Sequence, residues 1–210
     1  MNYRNYLFDL DGTLTDPGLG IKNSIRYALE NFGLSPLSEE VLNEFIGPPL
    51  LDSFVRYCHV TEEDSKALLA LYREYFSVTG LFENTVYEGV PRMLSSLKER
   101  GAALFLATSK PEPYALRILE HFQLDVFFDF VGGSTMDETR TAKDEVISYV
   151  MEKTGISPTE SVMVGDRKYD ILGGKACGMA TVGALYGYGS REELREADRL
   201  IEIPEELLRL

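Results

Sequence analysis

The heptapeptide LFDLDGT, residues 7–13, joins an apolar run to two closely spaced aspartates. Ionised aspartates are rarely buried unless they are paired with a cation or bound to a metal. Asp9 and Asp11 are two residues apart, so their side chains point the same way as the chain leaves an extended strand. The stretch therefore predicts a buried strand over residues 6–10 that ends in two functional carboxylates.

The composition of the 210 residues is that of a globular protein, with 44% apolar and 26% charged residues. A net charge of −13 argues against nucleic acid and anionic membrane surfaces as partners, since both need basic patches. No apolar stretch is long enough to span a membrane, and the first residues lack a secretory pattern. Cys58 and Cys177 lack CxxC spacing and fit a reducing compartment. We therefore expect a cytoplasmic protein.

The chain changes its periodicity twice. Apolar residues between positions 16 and 82 recur at helical spacing, whereas apolar strands alternate with helices after Tyr87. Strands are predicted over residues 103–107, 126–131, 161–164, 179–182 and 200–203, and helices over 89–100, 111–122, 142–154, 169–177 and 191–197. This alternation is typical of a parallel sheet that is covered on both faces.

The predicted fold class is α/β, with a doubly wound parallel-sheet core and an inserted α-helical cap. Because the N-terminal strand belongs to the sheet, the helical block interrupts the core. We expect the core to comprise residues 1–15 and 83–210, and the cap residues 16–82. Ligands of such sheets bind beyond the carboxyl ends of the strands.

Polar residues follow several of these predicted strands. Thr108 and Ser109 stand where a strand meets a helix, and a hydroxyl beside free helix N–H groups can hold an oxyanion. Lys143 opens a later helix, and Asp166 and Asp170 are four apart on one side of a helical turn. Together with Asp9 and Asp11, these side chains are expected to converge.

Four carboxylates that converge would repel one another without a cation. Carboxylate oxygens are the ligands that Mg²⁺ prefers, and we expect a phosphoryl group held between Mg²⁺ and Lys143. Asp9 is the expected nucleophile, because a carboxylate is already ionised at neutral pH and needs no base. Asp11 is expected to protonate the leaving oxygen and then to accept a proton from water.

The order of these motifs resembles the haloacid dehalogenase superfamily of phosphotransferases over essentially the whole chain. Residues 9–13 match its DxDGT motif, Thr108 its second motif, Lys143 its third and residues 165–170 its GDxxxD motif. The resemblance implies an aspartyl-phosphate on Asp9, and phosphate contacts from Thr108 and Lys143. It implies a metal site formed by Asp9, the backbone carbonyl of Asp11 and Asp166, with Asp170 supporting the metal directly or through water. Dehalogenase members lack the second aspartate, so dehalogenation is not expected.

The expected cap should select the substrate. EFIGPPLLDSF, residues 44–54, resembles the cap segment of members that act on phosphoglycolate or 5′-nucleotides. Gly47, Pro48 and Arg56 are the substrate candidates there, and Arg140 is a candidate in the core, with Lys110 near the presumed phosphate and Lys22 in the cap.

The sequence leaves several functions open. We expect a Mg²⁺-dependent phosphomonoesterase for a small phosphorylated metabolite, phosphoglycolate or a nucleoside monophosphate first. A phosphomutase of the β-phosphoglucomutase type would share all four motifs. A non-catalytic protein that binds a metal or phosphate is the third reading. The oligomeric state, monomer or homodimer, also stays open.

Overall fold

The computed structural model describes residues 3–137 and 139–210, and they form two compact units. Pro17–Thr85 is one unit, and the described residues on either side of it form the other, hereafter the core unit. The sequence placed these boundaries at residues 15/16 and 82/83. The first two residues of the expected core range lie outside the described residues. In the part of the chain that is described, no helix is long and apolar enough to cross a membrane.

The core unit is built on a six-stranded sheet whose neighbouring strands are all parallel. All strands are numbered in chain order, and two short ones, β2 (Thr15–Asp16) and β3 (Thr85–Val86), are not part of this sheet. The strands of the sheet are β1 (Asn5–Phe8), β4 (Ala103–Pro111), β5 (Phe130–Ser134), β6 (Ser161–Gly165), β7 (Ala180–Ala184) and β8 (Arg199–Ile201). The spatial order is β5-β4-β1-β6-β7-β8. This confirms the predicted doubly wound α/β class.

β1 lies inside the sheet between β4 and β6, and all four of its residues are buried. Leu7 packs in a core with apolar residues of the neighbouring strands and of one helix, among them Phe105, Met163 and Val146. The chain runs outward from β1 in one direction through β4 and β5, and then in the other through β6, β7 and β8. The switch of direction opens a crevice at the carboxyl end of β1, where such sheets bind ligands.

Helices follow most of these strands. They are α5 (Val90–Glu99), α6 (Glu112–His121), α7 (Lys143–Thr154) and α8 (Lys168–Ala176), with 3₁₀ turns at Asp125–Phe127, Pro158–Glu160 and Pro204–Arg209. The strand predicted over residues 126–131 begins only at Phe130. Val126 is 74% exposed, so it provides no buried face for a strand to continue from.

The helix predicted over residues 191–197 is wrong, because this segment consists of successive turns. Leu194 is its one buried apolar side chain among polar neighbours, and most helical stability in proteins comes from burying an apolar face. The segment instead uses Glu193 in tertiary contacts, since its carboxylate accepts hydrogen bonds from Arg167 Nε and the Lys168 N–H.

The Pro17–Thr85 unit is helical, as the spacing of its apolar residues predicted. Its helices are α1 (Gly18–Phe32), α2 (Glu39–Asn43), α3 (Leu50–Cys58) and α4 (Glu62–Tyr75), and α4 continues into a π-helical turn over Phe76–Gly80. α1 packs on α4, and Gly33 ends α1 in the left-handed conformation. Two short strands, β2 (Thr15–Asp16) and β3 (Thr85–Val86), lie where the chain passes between the units.

Candidate active site

The carboxyl edge of the core sheet gathers the predicted catalytic side chains. Asp9 follows β1 directly and Asp166 follows β6, because each strand ends where its buried apolar run stops. Asp170 lies in the first turn of α8, and Lys143 is the first residue of α7. Among the described residues, the buried charged side chains all lie at this edge: Asp9, Lys110, Lys143, Asp166 and Asp170.

Lys143 contacts three separate segments of the core unit. Its Nζ lies 2.8 Å from Asp9 Oδ1 and 2.7 Å from Asp170 Oδ1, and it donates a hydrogen bond of 3.1 Å to the Ala107 carbonyl. Burial by itself would lower the pKa of Lys143, but the carboxylates of Asp170 and Asp9 raise it above its usual value. The ammonium therefore stays charged between these two carboxylates, and the predicted convergence of Lys143 and Asp9 is observed.

Asp166 is fully buried and held by polar contacts from two directions. Its Oδ2 accepts a hydrogen bond of 2.8 Å from the Tyr188 N–H, and its Oδ1 accepts one of 3.3 Å from Thr13 Oγ1. Gly12 has φ +82°, and a Cβ there would lie 2.1 Å from Asp166 Oδ2. Because the glycine of the DGT turn has no Cβ, the Asp166 carboxylate can occupy this space.

Three of these carboxylates could hold one metal ion. Oxygens of Asp9, Asp166 and Asp170 lie within 4.8 Å of one another. Burial, together with Asp170 and Asp9 nearby, raises the pKa of Asp166 well above its usual value, and burial raises that of Asp170 to about 6 despite Lys143. A divalent cation would offset the repulsion between these like charges. A donor set made of oxygens alone fits Mg²⁺.

Asp11 has a separate cationic partner. Lys110 Nζ lies 2.7 Å from Asp11 Oδ2, and the Lys110 side chain is only 5% exposed. Burial raises the pKa of Asp11, and the charge of Lys110 offsets part of that rise. The sequence placed Lys110 near the phosphate but did not predict that it pairs with Asp11.

The predicted phosphate-binding hydroxyls lie near the end of β4. Thr108 is buried, and its Oγ1 accepts a hydrogen bond of 3.2 Å from the Lys110 N–H, while Ser109 is half-buried. The register between β4 and β5 shifts between Ala107 and Pro111, so this strand end is irregular. The strand continues four residues beyond its predicted end at Ala107, and it carries Thr108, Ser109 and Lys110 within it.

A loop that was not predicted from the sequence contacts Asp166. Beyond β7, the Tyr188 N–H binds Asp166, the Tyr188 hydroxyl donates to Asp16, and the Tyr186 hydroxyl donates to the Thr13 carbonyl at 3.0 Å. A Cβ at Gly187 would lie 2.2 Å from the Gly12 carbonyl oxygen. The alternating Gly and Tyr of residues 186–189, placed at a strand end, are the signal that could have identified this loop.

The predicted substrate residues are distributed over both units. Gly47, with φ +106°, and Pro48 precede α3, and Arg56 lies in the last turn of α3 with its guanidinium carbon 5.2 Å from the centre of the Tyr57 ring. Arg140 belongs to the core unit and is already engaged there. Its Nε donates to the Gly133 carbonyl at 3.0 Å, and its guanidinium carbon lies 3.7 Å from the centre of the Tyr149 ring. Their contact with substrate stays a prediction.

The sequence of the chain is similar to those of several known proteins. Residues 6–184 match the family described as haloacid dehalogenase-like hydrolase. The chain is 44% identical to a 5′-nucleotidase of Pseudomonas aeruginosa over 93% of its own length and 88% of that protein. It is 30% identical to phosphoglycolate phosphatase 1 of the same organism, over 92% of the chain and 73% of the relative. It is also 37% identical to tyrosine-protein kinase PtkA of Mycobacterium tuberculosis, over 87% of the chain and 62% of the relative.

Solved structures show the same architecture. The chain superposes on the crystal structure of a predicted phosphatase from Clostridium acetobutylicum with a TM-score of 0.94 and 41% sequence identity. The alignment covers 100% of both chains.

Proposed function

The chain belongs to the haloacid dehalogenase-like hydrolase family and is a phosphatase of that family, and we propose that it hydrolyses small phosphomonoesters through an aspartyl-phosphate on Asp9, with Mg²⁺ as its cofactor. The observation that carries this proposal is the position of Lys143. Its ammonium lies within 2.8 Å of carboxylates on Asp9 and Asp170, at the crevice beside the central strand.

Asp9 attacks phosphorus with one carboxylate oxygen while the bond to the ester oxygen breaks. The electron pair of that bond remains on the leaving oxygen, and the Asp11 carboxyl supplies the proton with which the alcohol departs. The Asp11 carboxylate then takes a proton from the water that hydrolyses the acyl phosphate, which releases inorganic phosphate and restores Asp9.

Lys143 and the buried Thr108 supply the phosphate contacts. Lys143 contributes a fixed positive charge that attracts the phosphoryl oxygens and stabilises the charge that develops during transfer. Its contacts with Asp170 and with the Ala107 carbonyl hold the ammonium in place before substrate arrives. Ser109 is proposed as a second phosphate contact, because it is half-buried in the irregular end of β4 beside Thr108.

Asp9, Asp166 and Asp170 are proposed to hold Mg²⁺, with the Asp11 backbone carbonyl as a further ligand. When bound, the ion would neutralise negative charge on the phosphoryl group and on the crowded carboxylates. The Tyr188 N–H and the Thr13 hydroxyl orient the Asp166 carboxylate for this role.

Nucleoside monophosphates and phosphoglycolate are the proposed substrate classes. The support is the 44% identity to a 5′-nucleotidase and the 30% identity to a phosphoglycolate phosphatase. The Pro17–Thr85 unit is proposed to act as the specificity cap. Gly47, Pro48 and Arg56 in that unit, and Arg140 in the core unit, are the residues proposed to choose among substrates.

Phosphate release from a panel of nucleoside monophosphates, phosphoglycolate and sugar phosphates tests the proposal. We expect turnover with Mg²⁺, loss of turnover in EDTA with recovery on adding excess Mg²⁺, and inhibition by Ca²⁺, which prefers more ligands at longer distances. Protein quenched during turnover should carry one phosphoryl group that hydroxylamine removes, as expected of an acyl phosphate. Full activity in chelator would refute the metal requirement.

Other outcomes of the same panel would indicate the competing functions. Isomerisation of a sugar phosphate without release of phosphate would indicate a mutase. Metal binding without turnover on any substrate would indicate a non-catalytic protein. For the cap residues, Pro48→Ala and Arg56→Ala should change the ratio of kcat/KM between substrates, whereas equal losses on all substrates would refute their role in specificity.

A further inference from the structure

The two aspartates of the DxDGT motif have different lysine partners. Lys143 contacts Asp9, whereas Lys110 contacts Asp11 through Oδ2 at 2.7 Å. Both lysines are buried, and a buried ammonium is costly unless it is paired. The motif resemblance assigns a role to Lys143 alone, so the second lysine needs its own explanation.

The backbone around Lys110 is fixed by its neighbours. Its N–H donates to Thr108 Oγ1, and a Cβ at Gly133 on the adjacent strand would lie 2.8 Å from the Lys110 carbonyl oxygen. β4 pairs with β1 through Leu106 and Phe8, which brings the end of β4 beside the DxDGT turn. Lys110 therefore projects from a packed strand end rather than from an open loop.

The two oxygens of Asp11 are not equivalent. Oδ2 receives the Lys110 ammonium, whereas Oδ1 is buried and accepts no hydrogen bond from the residues that the structure describes. An ammonium donates hydrogen bonds and cannot accept one, so Oδ2 cannot donate a carboxyl proton to it. Oδ1 is the oxygen that is left to carry and exchange a proton.

We propose that Lys110 is a positioning residue for the proton transfer: its ammonium holds Asp11 Oδ2 and thereby fixes Oδ1 as the oxygen that protonates the leaving group. This inference rests on the proposed function, because it assumes that Asp11 is the general acid. Without Lys110, the carboxyl can turn about its Cβ–Cγ bond, and neither oxygen is held where the ester oxygen leaves.

The loss of kcat/KM in a Lys110 variant should depend on the acidity of the leaving group. A poor leaving group needs the proton as the P–O bond breaks, whereas an acidic phenol leaves readily without it. The test uses phenyl phosphate and its ring-substituted analogues up to 4-nitrophenyl phosphate, whose phenols differ in acidity. The measured quantity is kcat/KM, which reports the step in which the alcohol leaves, whatever the rate of the later hydrolysis.

Lys110→Met should lower kcat/KM on the order of 10²-fold for phenyl phosphate, as expected when a reacting group is misplaced by about an ångström, and much less for 4-nitrophenyl phosphate. Inhibition by inorganic phosphate should not change. Lys98→Met is the matched control, since Lys98 pairs with Asp129 in the core unit outside the site, and it should have the wild-type dependence on the leaving group.

A double-mutant cycle separates action through Asp11 from direct phosphate binding. If Lys110 acts through Asp11, Lys110→Met should cost nothing further in an Asp11→Asn background. Equal losses across the aryl series, weaker inhibition by phosphate, or additive losses in the double variant would overturn the inference. If Lys110→Met does not fold, Lys110→Gln takes its place, with an intermediate dependence expected and a wild-type dependence overturning the inference.

Asp11→Asn alone distinguishes the two levels of failure. A strong leaving-group dependence in Asp11→Asn with none in Lys110→Met would overturn the role of Lys110 only. A wild-type dependence in Asp11→Asn would overturn the proposed role of Asp11 as the acid, and the role of Lys110 with it.

Discussion

The Pro17–Thr85 unit and the carboxyl edge of the core sheet bury different kinds of polar groups. In the helical unit, the buried polar side chains among the described residues are serines: Ser24, Ser53 and Ser65. Each of them donates to a backbone carbonyl three or four residues earlier in the chain. The sheet edge instead buries three aspartates and two lysines, and the two lysines form ion pairs with Asp9, Asp11 and Asp170.

The charged groups of the helical unit stay near solvent. Glu39 pairs with Arg26 and with Lys22, and its side chain is 65% exposed. Such pairs contribute little to stability, whereas removing an ion from water costs several kcal/mol. The helical unit thus keeps its ions in contact with water and is stabilised by apolar packing. The ions at the sheet edge are removed from water, at a cost in free energy. The difference indicates that the buried charges serve chemistry rather than stability.

The largest difference in turnover is expected between matched Asp→Asn substitutions in the two regions. Asp9→Asn should reduce turnover on the order of 10⁴-fold or more, because an amide is a poor nucleophile of the same volume. Asp52→Asn, on the exposed face of α3, should leave turnover unchanged. Steady-state phosphate release and a thermal melt of both variants check this. Near wild-type turnover in a folded Asp9→Asn would remove Asp9 from the nucleophile role.

Two glycines with the same backbone angle provide an intermediate test. Gly12 and Gly33 both have φ +82°, so alanine suffers the same left-handed strain at each, about 1–2 kcal/mol. At Gly33 a Cβ meets nothing within 4 Å, whereas at Gly12 it would lie 2.1 Å from Asp166 Oδ2. Gly33→Ala should therefore lower stability alone, and Gly12→Ala should lower stability further.

Gly12→Ala should also reduce kcat/KM, on the order of 10²-fold, because Asp166 must move. Urea unfolding and phosphate release on both variants measure the two effects. If the two variants lost the same stability and both kept full activity, Asp166 would not need the position that the structure gives it.

The smallest effect is expected at the surface pair of the helical unit. The hydrogen bond from Arg26 holds the pKa of Glu39 below its usual value, with smaller help from Lys22. A carboxylate whose folded-state pKa is depressed stabilises the fold above its unfolded-state pKa, and this contribution disappears as the pH falls through the folded-state value. Glu39→Gln should therefore lower the melting temperature slightly at neutral pH.

The difference between Glu39→Gln and wild type should vanish at acidic pH and in high salt, where exposed charges are screened. Thermal melts at two pH values and two salt concentrations check this. A large loss that persists in high salt would mean that Glu39 has a structural role beyond this exposed pair, and the contrast between the two regions would weaken.

The sequence by itself determined the class of the fold and most of the charged residues that gather at the carboxyl edge of the sheet. Apolar runs bounded by Asp, Thr or Gly identified most strands, because strands that are buried on both faces read as nearly continuous apolar runs. The spacing of DxDGT and of GDxxxD placed Asp9, Asp11, Asp166 and Asp170 at strand ends, and the structure gathers Asp9, Asp166 and Asp170 within one cluster. α3 (Leu50–Cys58) likewise lies in the block where apolar residues recur at helical spacing.

Only the tertiary structure decided which of these groups meet. The order of strands in a sheet is not written in local periodicity, and it is the neighbourhood of β4 and β1 that brings Lys110 to Asp11. The same holds for Tyr188, which reaches Asp166 because β7 lies beside β6. Burial also overrode propensity over residues 191–197, where one buried leucine is too little apolar surface to stabilise a helix.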